Sequence, residues 1–206
     1  MKIEYILLDT IEYGDLAEYA ALLPPERREK IARLRIENDK LLSLVAGLMI
    51  RRVTGDAPLT VNEHGKPYAS GGVYFSASHS GRCVAIAADD SEVGLDVEKL
   101  SDKDVMRIAR RFYHPNEQRC VELADDTRRA FTRVWTRKEA YLKQLGIGIA
   151  TDLKAFDTVS GEPGERIVSF DLGGYVISVC GASKIEKDAV YFSELELKDL
   201  FLSGTQ

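Results

Sequence analysis

The stretch from about Thr127 to Leu145 reads as one long helix, with Gly146 as its stop signal. Its centre, Trp135-Thr136-Arg137-Lys138-Glu139-Ala140-Tyr141-Leu142-Lys143, has helical composition and apolar spacing. Glu139 and Lys143, four residues apart, then share a face within reach of a common ligand. Ahead of it, Val73 to Ser78, Cys83 to Ala88 and Val93 to Glu98 read as three consecutive strands, parted by turn residues at Ser80-Gly81 and Asp89-Asp90. In Gly94-Leu95-Asp96-Val97-Glu98, alternation sets Asp96 and Glu98 on one face of the sheet. Two strand carboxylates, a helix carboxylate and a lysine make a receptacle for a hard divalent cation carrying a phosphorylated substrate. That combination points to phosphoryl-group chemistry.

The other elements complete a mixed α/β pattern. Met1 to Asp9 reads as a strand and lacks the apolar core followed by small residues that a signal peptide needs. Pro24-Pro25 opens a short charged helix, roughly Glu26 to Arg35, with Ile31 and Leu34 on its buried side. A longer helix runs from about Asp39 to a stop at Gly55, with Leu41, Leu44, Val45, Leu48 and Met49 at helical spacing. Asn62 to Tyr68 is turn-rich. Helical stretches follow from about Asp102 to Phe112 and from Pro115, and Ile167 to Phe170, Tyr175 to Cys180 and Val190 to Glu194 read as strands. No low-complexity linker interrupts the 206 residues, which suffice for one large core or two small ones. The order of elements permits two halves, 1–100 and 101–206, with a site using Asp96, Glu98 and Glu139 at their junction.

Composition narrows the function. A hydrophobic content of 45% excludes disorder, and no apolar run approaches the ~20 residues of a membrane span. Cys83, Cys120 and Cys180 are odd in number and form no CxxC, the usage of thiols in a reducing cytosol. A net charge of -5 offers no general attraction for nucleic acid or an anionic membrane. A soluble cytoplasmic protein is expected. Any anionic substrate must be held by a local positive cluster or through a metal.

Each candidate residue also has a bland reading. Asp96 and Glu98 alone suit a solvated strand face, and Glu139 with Lys143 an ordinary helical ion pair. His79, in Phe75-Ser76-Ala77-Ser78-His79-Ser80, suits a turn, Lys66 a solvated loop, and Glu117 a favourable acid in a helix's first turn. Trp135 reads as core packing whatever the function. What favours chemistry is the joint occurrence of these residues, in this order and at this spacing.

Taken together, Phe75 to Ser80, Gly94 to Glu98, Arg111-Phe112-Tyr113-His114-Pro115-Asn116-Glu117, and Trp135 to Lys143 with Gly146-Ile147-Gly148 resemble the 4′-phosphopantetheinyl transferases of the surfactin-synthetase-activating, double-length type. Gly65-Lys66-Pro67-Tyr68 matches a further block, and Pro25-Glu26-Arg27-Arg28-Glu29-Lys30 a looser one. The likeness runs from about residue 24 to 150. W-x-x-K-E-A-x-x-K with G-x-D-x-E ahead of it is its most specific part.

The resemblance implies a pseudo-twofold α/β fold of two similar halves with the site between them. It implies transfer of the phosphopantetheine arm of coenzyme A to a serine of an apo acyl or peptidyl carrier protein, with Mg²⁺ as cofactor and adenosine 3′,5′-bisphosphate released. By that likeness Asp96, Glu98 and Glu139 hold the metal, and Lys143 contacts the phosphate under attack. His79 and Ser78 grip the 3′-phosphate with Lys66, Arg27 and Ser43 assisting. Either Glu117 or Glu139 is the general base. A monomer is expected, with no nucleic-acid or membrane partner. The rival readings are a catalytically inactive module that binds coenzyme A or a carrier protein, and a different Mg²⁺-dependent enzyme such as a nucleotide hydrolase. For the second, the chain lacks a GxxxxGK[ST] loop.

Overall fold

In the computed structural model, which describes residues 1–101, 104–148, 151–182, 190–192 and 197, strand pairing sorts the chain into two sheets and a small hairpin. The elements run β1 (Lys2–Leu7), a single-turn α1 (Tyr13–Leu16), α2 (Pro25–Arg33), α3 (Glu37–Thr54), the hairpin β2 (Leu59–Val61) and β3 (Pro67–Ala69), then β4 (Tyr74–Ser80), β5 (Cys83–Asp89) and β6 (Val93–Lys99). After them come α4 (Val105–Phe112), α5 (Pro115–Glu122), α6 (Thr127–Leu145), β7 (Ile167–Leu172), β8 (Tyr175–Gly181) and β9 (Val190–Phe192). The strand expected over Val190 to Glu194 is seen to Phe192, and 193–194 lie outside the described residues.

Local chemistry accounts for the helix ends. Pro25 opens α2, where its fixed φ costs nothing. Gly55 and Gly146 close α3 and α6 at φ 61° and 68°, a left-handed turn that suits glycine. Asp126 caps α6 by accepting from the Arg129 N–H.

The three consecutive strands do not form one meander. β4 and β5 pair as a hairpin, and β5 continues onto β1, with β9 parallel to β1 on its far side. β6 leaves for the second sheet, where it pairs antiparallel with β8, and β8 with β7. The sheets therefore part between β5 and β6, and β9 returns to the first sheet.

Each sheet carries one long helix. Ile6, Phe75, Val84 and Ile86 pack against Leu41, Leu44, Val45 and Leu48 of α3. The opposite face of that sheet, with Ile3, Cys83, Ala85 and Ala87, meets Val93, Leu95, Val97, Ile177 and Val179 of the second. Ala140 of α6 lies on Ile167 and Cys180, while Tyr113, Val121, Phe131 and Val134 join α4, α5 and α6. Each aliphatic side chain so buried contributes roughly 1.5–3 kcal/mol against leaving it in water.

Where β4 meets β6, serine hydroxyls stand in for a backbone ladder. Ser76, Ser78 and Ser80 share one face of β4. Ser76 Oγ accepts from the Leu95 N–H at 2.9 Å, and Ser80 Oγ from the Lys99 N–H at 3.1 Å. Among the described residues no helix is long and apolar enough to cross a membrane.

Candidate active site

Alternation along β6 sends Leu95 and Val97 into the core between the sheets and turns Gly94, Asp96 and Glu98 toward α6. Gly94 is the point of closest approach. A Cβ placed there would lie 1.9 Å from the Ala140 carbonyl oxygen and 2.3 Å from the Gln144 nitrogen. The backbone of α6 thus rests directly on the strand, and Glu139 and Lys143 come down beside the strand carboxylates.

Asp96 is 4% exposed, and its Oδ1 accepts from Lys143 Nζ at 2.6 Å and from Ser78 Oγ at 2.8 Å. Its Oδ2 is buried without a hydrogen-bond partner among the described residues. Lys143 Nζ also donates to Ser78 Oγ at 3.0 Å. Glu98 accepts from Ser80 Oγ at 2.6 Å, and burial, reinforced by the Asp96 charge, raises its pKa. Glu139, 8% exposed, is pushed up to about 7, first by burial and then by the charge of Asp96, with Lys143 opposing. The three acids therefore form one repelling group with a single ammonium on it.

The donor set suits a hard divalent cation: carboxylate oxygens, no thiolate or imidazole, and one buried oxygen without a partner. Among the described residues no three acidic, histidine or cysteine side chains converge closely enough to grasp an ion as they stand. Asp96 Oδ1 instead carries Lys143, and Glu98 carries Ser80.

Glu139 and Lys143 open onto a cavity of about 530 Å³. Its other polar walls include Arg27, Lys30, His64, Lys66 and His79, and its apolar walls include Ile50, Leu59, Val61, Phe75 and Leu142. An acidic chain has here gathered cations around one concavity, as an anionic ligand requires. Arg27 is steered by the Ser43 carbonyl, which accepts from its Nη2 at 2.9 Å. Lys66 is ion-paired to Glu92 and donates to the Gln144 carbonyl at 2.9 Å, and Asn62 donates to the Gly146 carbonyl at 2.8 Å. The loop of residues 62–66 thereby satisfies carbonyls at the α6 C-terminus.

His79 lies on β4, not in a turn, and lines the cavity beside Arg27. Partial burial, then the nearby Arg27 and Lys143 charges, lower its pKa. Ser78 does not share that position. One residue along a strand is the opposite face, so its hydroxyl goes to Asp96 and Lys143. Ser43 is buried in α3 and reaches the site through its carbonyl, by way of Arg27.

Glu117 is not brought to the cavity. It is fully buried, and its carboxylate accepts from Lys138 Nζ at 2.8 Å, the His114 N–H at 2.9 Å, and the Thr158 N–H and hydroxyl at 2.9 and 2.8 Å. Lys138 donates further to the Leu153 and Phe156 carbonyls. This saturated pair braces α5, α6 and the segment around Thr158, and the helix-capping reading of Glu117 is the one its geometry supports. Trp135 stacks on Phe131 within the α4–α6 cluster, as core packing requires.

Lys30 and Lys138 were not among the site residues expected from sequence. Lys30 lines the cavity, and its place three residues after Arg27 on α2 was a usable signal. Lys138 was visible only as a motif letter, because Glu117 and Thr158 lie far from it in the chain.

A family model described as the 4′-phosphopantetheinyl transferase superfamily matches residues 92–192, which hold all three carboxylates and Lys143. The chain is 31% identical over 169 residues to a 4′-phosphopantetheinyl transferase of Bacillus subtilis, covering 76% of this chain and 75% of that one. It is 28% identical over 210 residues to the 4′-phosphopantetheinyl transferase Sfp of Bacillus subtilis strain 168, covering 88% and 92%. With the 4′-phosphopantetheinyl transferase AcpT of Salmonella typhi it shares 34% identity over 122 residues, 56% of this chain and 63% of that one. The chain belongs to the 4′-phosphopantetheinyl transferase family. It is a transferase.

Proposed function

We propose that this protein moves the 4′-phosphopantetheine arm of coenzyme A onto a serine hydroxyl of an apo acyl or peptidyl carrier protein, with Mg²⁺ as cofactor. One observation carries the reading: a single cavity is walled by Arg27, Lys30, Lys66 and His79 together with Glu139 and Lys143, and Lys143 is ion-paired to Asp96. The cationic walls take the 3′-phosphate of the nucleotide, and the apolar walls take its base and ribose.

The serine oxygen attacks the phosphorus that bears pantetheine. A new P–O bond forms, the bond to the bridging pyrophosphate oxygen breaks, and adenosine 3′,5′-bisphosphate leaves with the electron pair. Asp96, Glu98 and Glu139 would hold the Mg²⁺, which when bound neutralises charge on the pyrophosphate. Lys143 contacts the phosphate under attack and stabilises charge on its oxygens. Glu139 accepts the serine proton, directly or through a water. Glu117, buried and bonded to Lys138, His114 and Thr158, is left out of this scheme.

The test is incubation with apo carrier protein, coenzyme A and Mg²⁺, read by mass spectrometry. A carrier gaining one phosphopantetheine supports the reading. No gain across fatty-acid, polyketide and peptide-synthetase carriers would refute it, and undiminished turnover in excess chelator would remove the metal.

A further inference from the structure

We infer that Asn62 is a positioning residue for coenzyme A binding, its side chain tying the β2–β3 hairpin, which walls the cavity, to the C-terminal end of α6. The inference rests on the coenzyme A reading proposed above. The hairpin brings Leu59 and Val61, on one face of β2, and His64, Gly65 and Lys66, in its turn, to the cavity. Its strands are three residues each and, among the described residues, pair with each other and with neither sheet. A two-stranded hairpin is marginal by itself in water, so whatever docks it sets that wall of the cavity.

One carboxamide both shapes the turn and docks it. Asn62 Oδ1 accepts from the His64 N–H at 3.0 Å and from the Lys66 N–H at 2.9 Å. Its Nδ2 donates to the Gly146 carbonyl at 2.8 Å, at the helix end where carbonyls lack intrahelical donors. Lys66 is a second tether, donating to the Gln144 carbonyl at 2.9 Å and the Val93 carbonyl at 3.4 Å and ion-paired to Glu92. Those partners take all three ammonium protons. A lysine that turns to an anionic ligand gives one of them up, and its hold on α6 weakens as the ligand arrives. Asn62 is not among the residues lining the cavity and has no such competing role. It acts on the ligand through the groups it holds.

The experiment is a calorimetric titration with coenzyme A in Mg²⁺ buffer, without carrier protein and well below the melting temperature, with steady-state transfer measured alongside. Wild type, Asn62→Ala, Asn62→Ser and Thr60→Ala are compared. The shorter serine keeps an acceptor for the turn but loses the reach to Gly146. Both Asn62 variants should bind coenzyme A ~3- to ~10-fold more weakly at full stoichiometry. Their KM for coenzyme A should rise by a similar factor, with kcat within about twofold of wild type. Thr60→Ala, on the opposite face of β2, should behave as wild type. Lowered stoichiometry and kcat with an unchanged Kd would mark a merely structural role and overturn the inference. Wild-type affinity in Asn62→Ser would also overturn it, because the bond to Gly146 would not be the cause. So would an equal loss in Thr60→Ala, since any disturbance of the hairpin would then suffice. If wild type itself binds no coenzyme A, the proposed function falls and this inference with it.

Discussion

Replacing Gly94 by alanine tests the contact that brings helix and strand chemistry together. The added Cβ would meet the Ala140 carbonyl oxygen at 1.9 Å, whereas real Cβ contacts essentially never fall below 3.0 Å. The difference, 1.1 Å, is the least by which α6 and β6 must separate, and both contacted atoms are backbone that no rotamer change can move. Forced overpacking of this kind costs ~1–3 kcal/mol of stability. Function should suffer more, because Glu139 and Lys143 ride on the displaced turn while Asp96 and Glu98 do not. A misplacement of about 1 Å in a reacting constellation costs ~100-fold in rate, or ~2.7 kcal/mol of barrier. The assay is single-turnover transfer to an apo carrier at saturating coenzyme A and Mg²⁺, with urea denaturation alongside. Gly173→Ala is the control, since that glycine has no neighbour within 4 Å; its positive φ exacts backbone strain but moves nothing near the site. If Gly94→Ala transfers within about threefold of wild type, the close approach does not set the geometry of the site.

Four further outcomes are expected. Glu139 titrates near 7 when folded against an unfolded value near 4.5, so the native state holds the extra proton; stability is full below about pH 4.5 and falls by ~2–3 kcal/mol as pH rises through 7. Denaturation of metal-free protein between pH 5 and 8 should show that fall, and a smaller one in Asp96→Asn; a flat profile in wild type contradicts it. Lys143→Ala should cut single-turnover transfer severely and Lys143→Arg restore it incompletely, because a planar fork does not replace a compact ammonium at 2.6 Å from Asp96; activity within threefold of wild type would remove the lysine from the reaction. Lys138→Met should lose ~3–5 kcal/mol in urea denaturation by stranding the buried Glu117 charge, and Glu117→Gln added to it should recover part of the loss. His79→Ala should narrow the discrimination between coenzyme A and its 3′-dephospho analogue; unchanged discrimination would leave His79 a wall of the cavity and no more.

Local periodicity and punctuation settled much of this molecule before any tertiary contact. The α6 limits, Thr127 to Leu145, follow from apolar spacing and a glycine that alone tolerates the left-handed stop. The common face of Asp96 and Glu98, and that of Glu139 and Lys143, follow from the two-residue and 3.6-residue repeats. Only the tertiary structure decided which partner each face meets. A strand's hydrogen-bonding edge accepts any partner of matching register, so nothing within Val93 to Lys99 says that β6 abandons β5 for β8. Once it does, Ser78 turns from the cavity to Asp96, while its neighbour His79 stays in the cavity. Glu117 shows the same division of labour. Its capping role is local and was legible, but its burial depends on Lys138 and Thr158, and the contacts that close over its carboxylate come from segments 21 and 41 residues away. Periodicity assigns a side chain to a face, and long-range packing alone determines whether that face looks onto substrate or onto another part of the same chain.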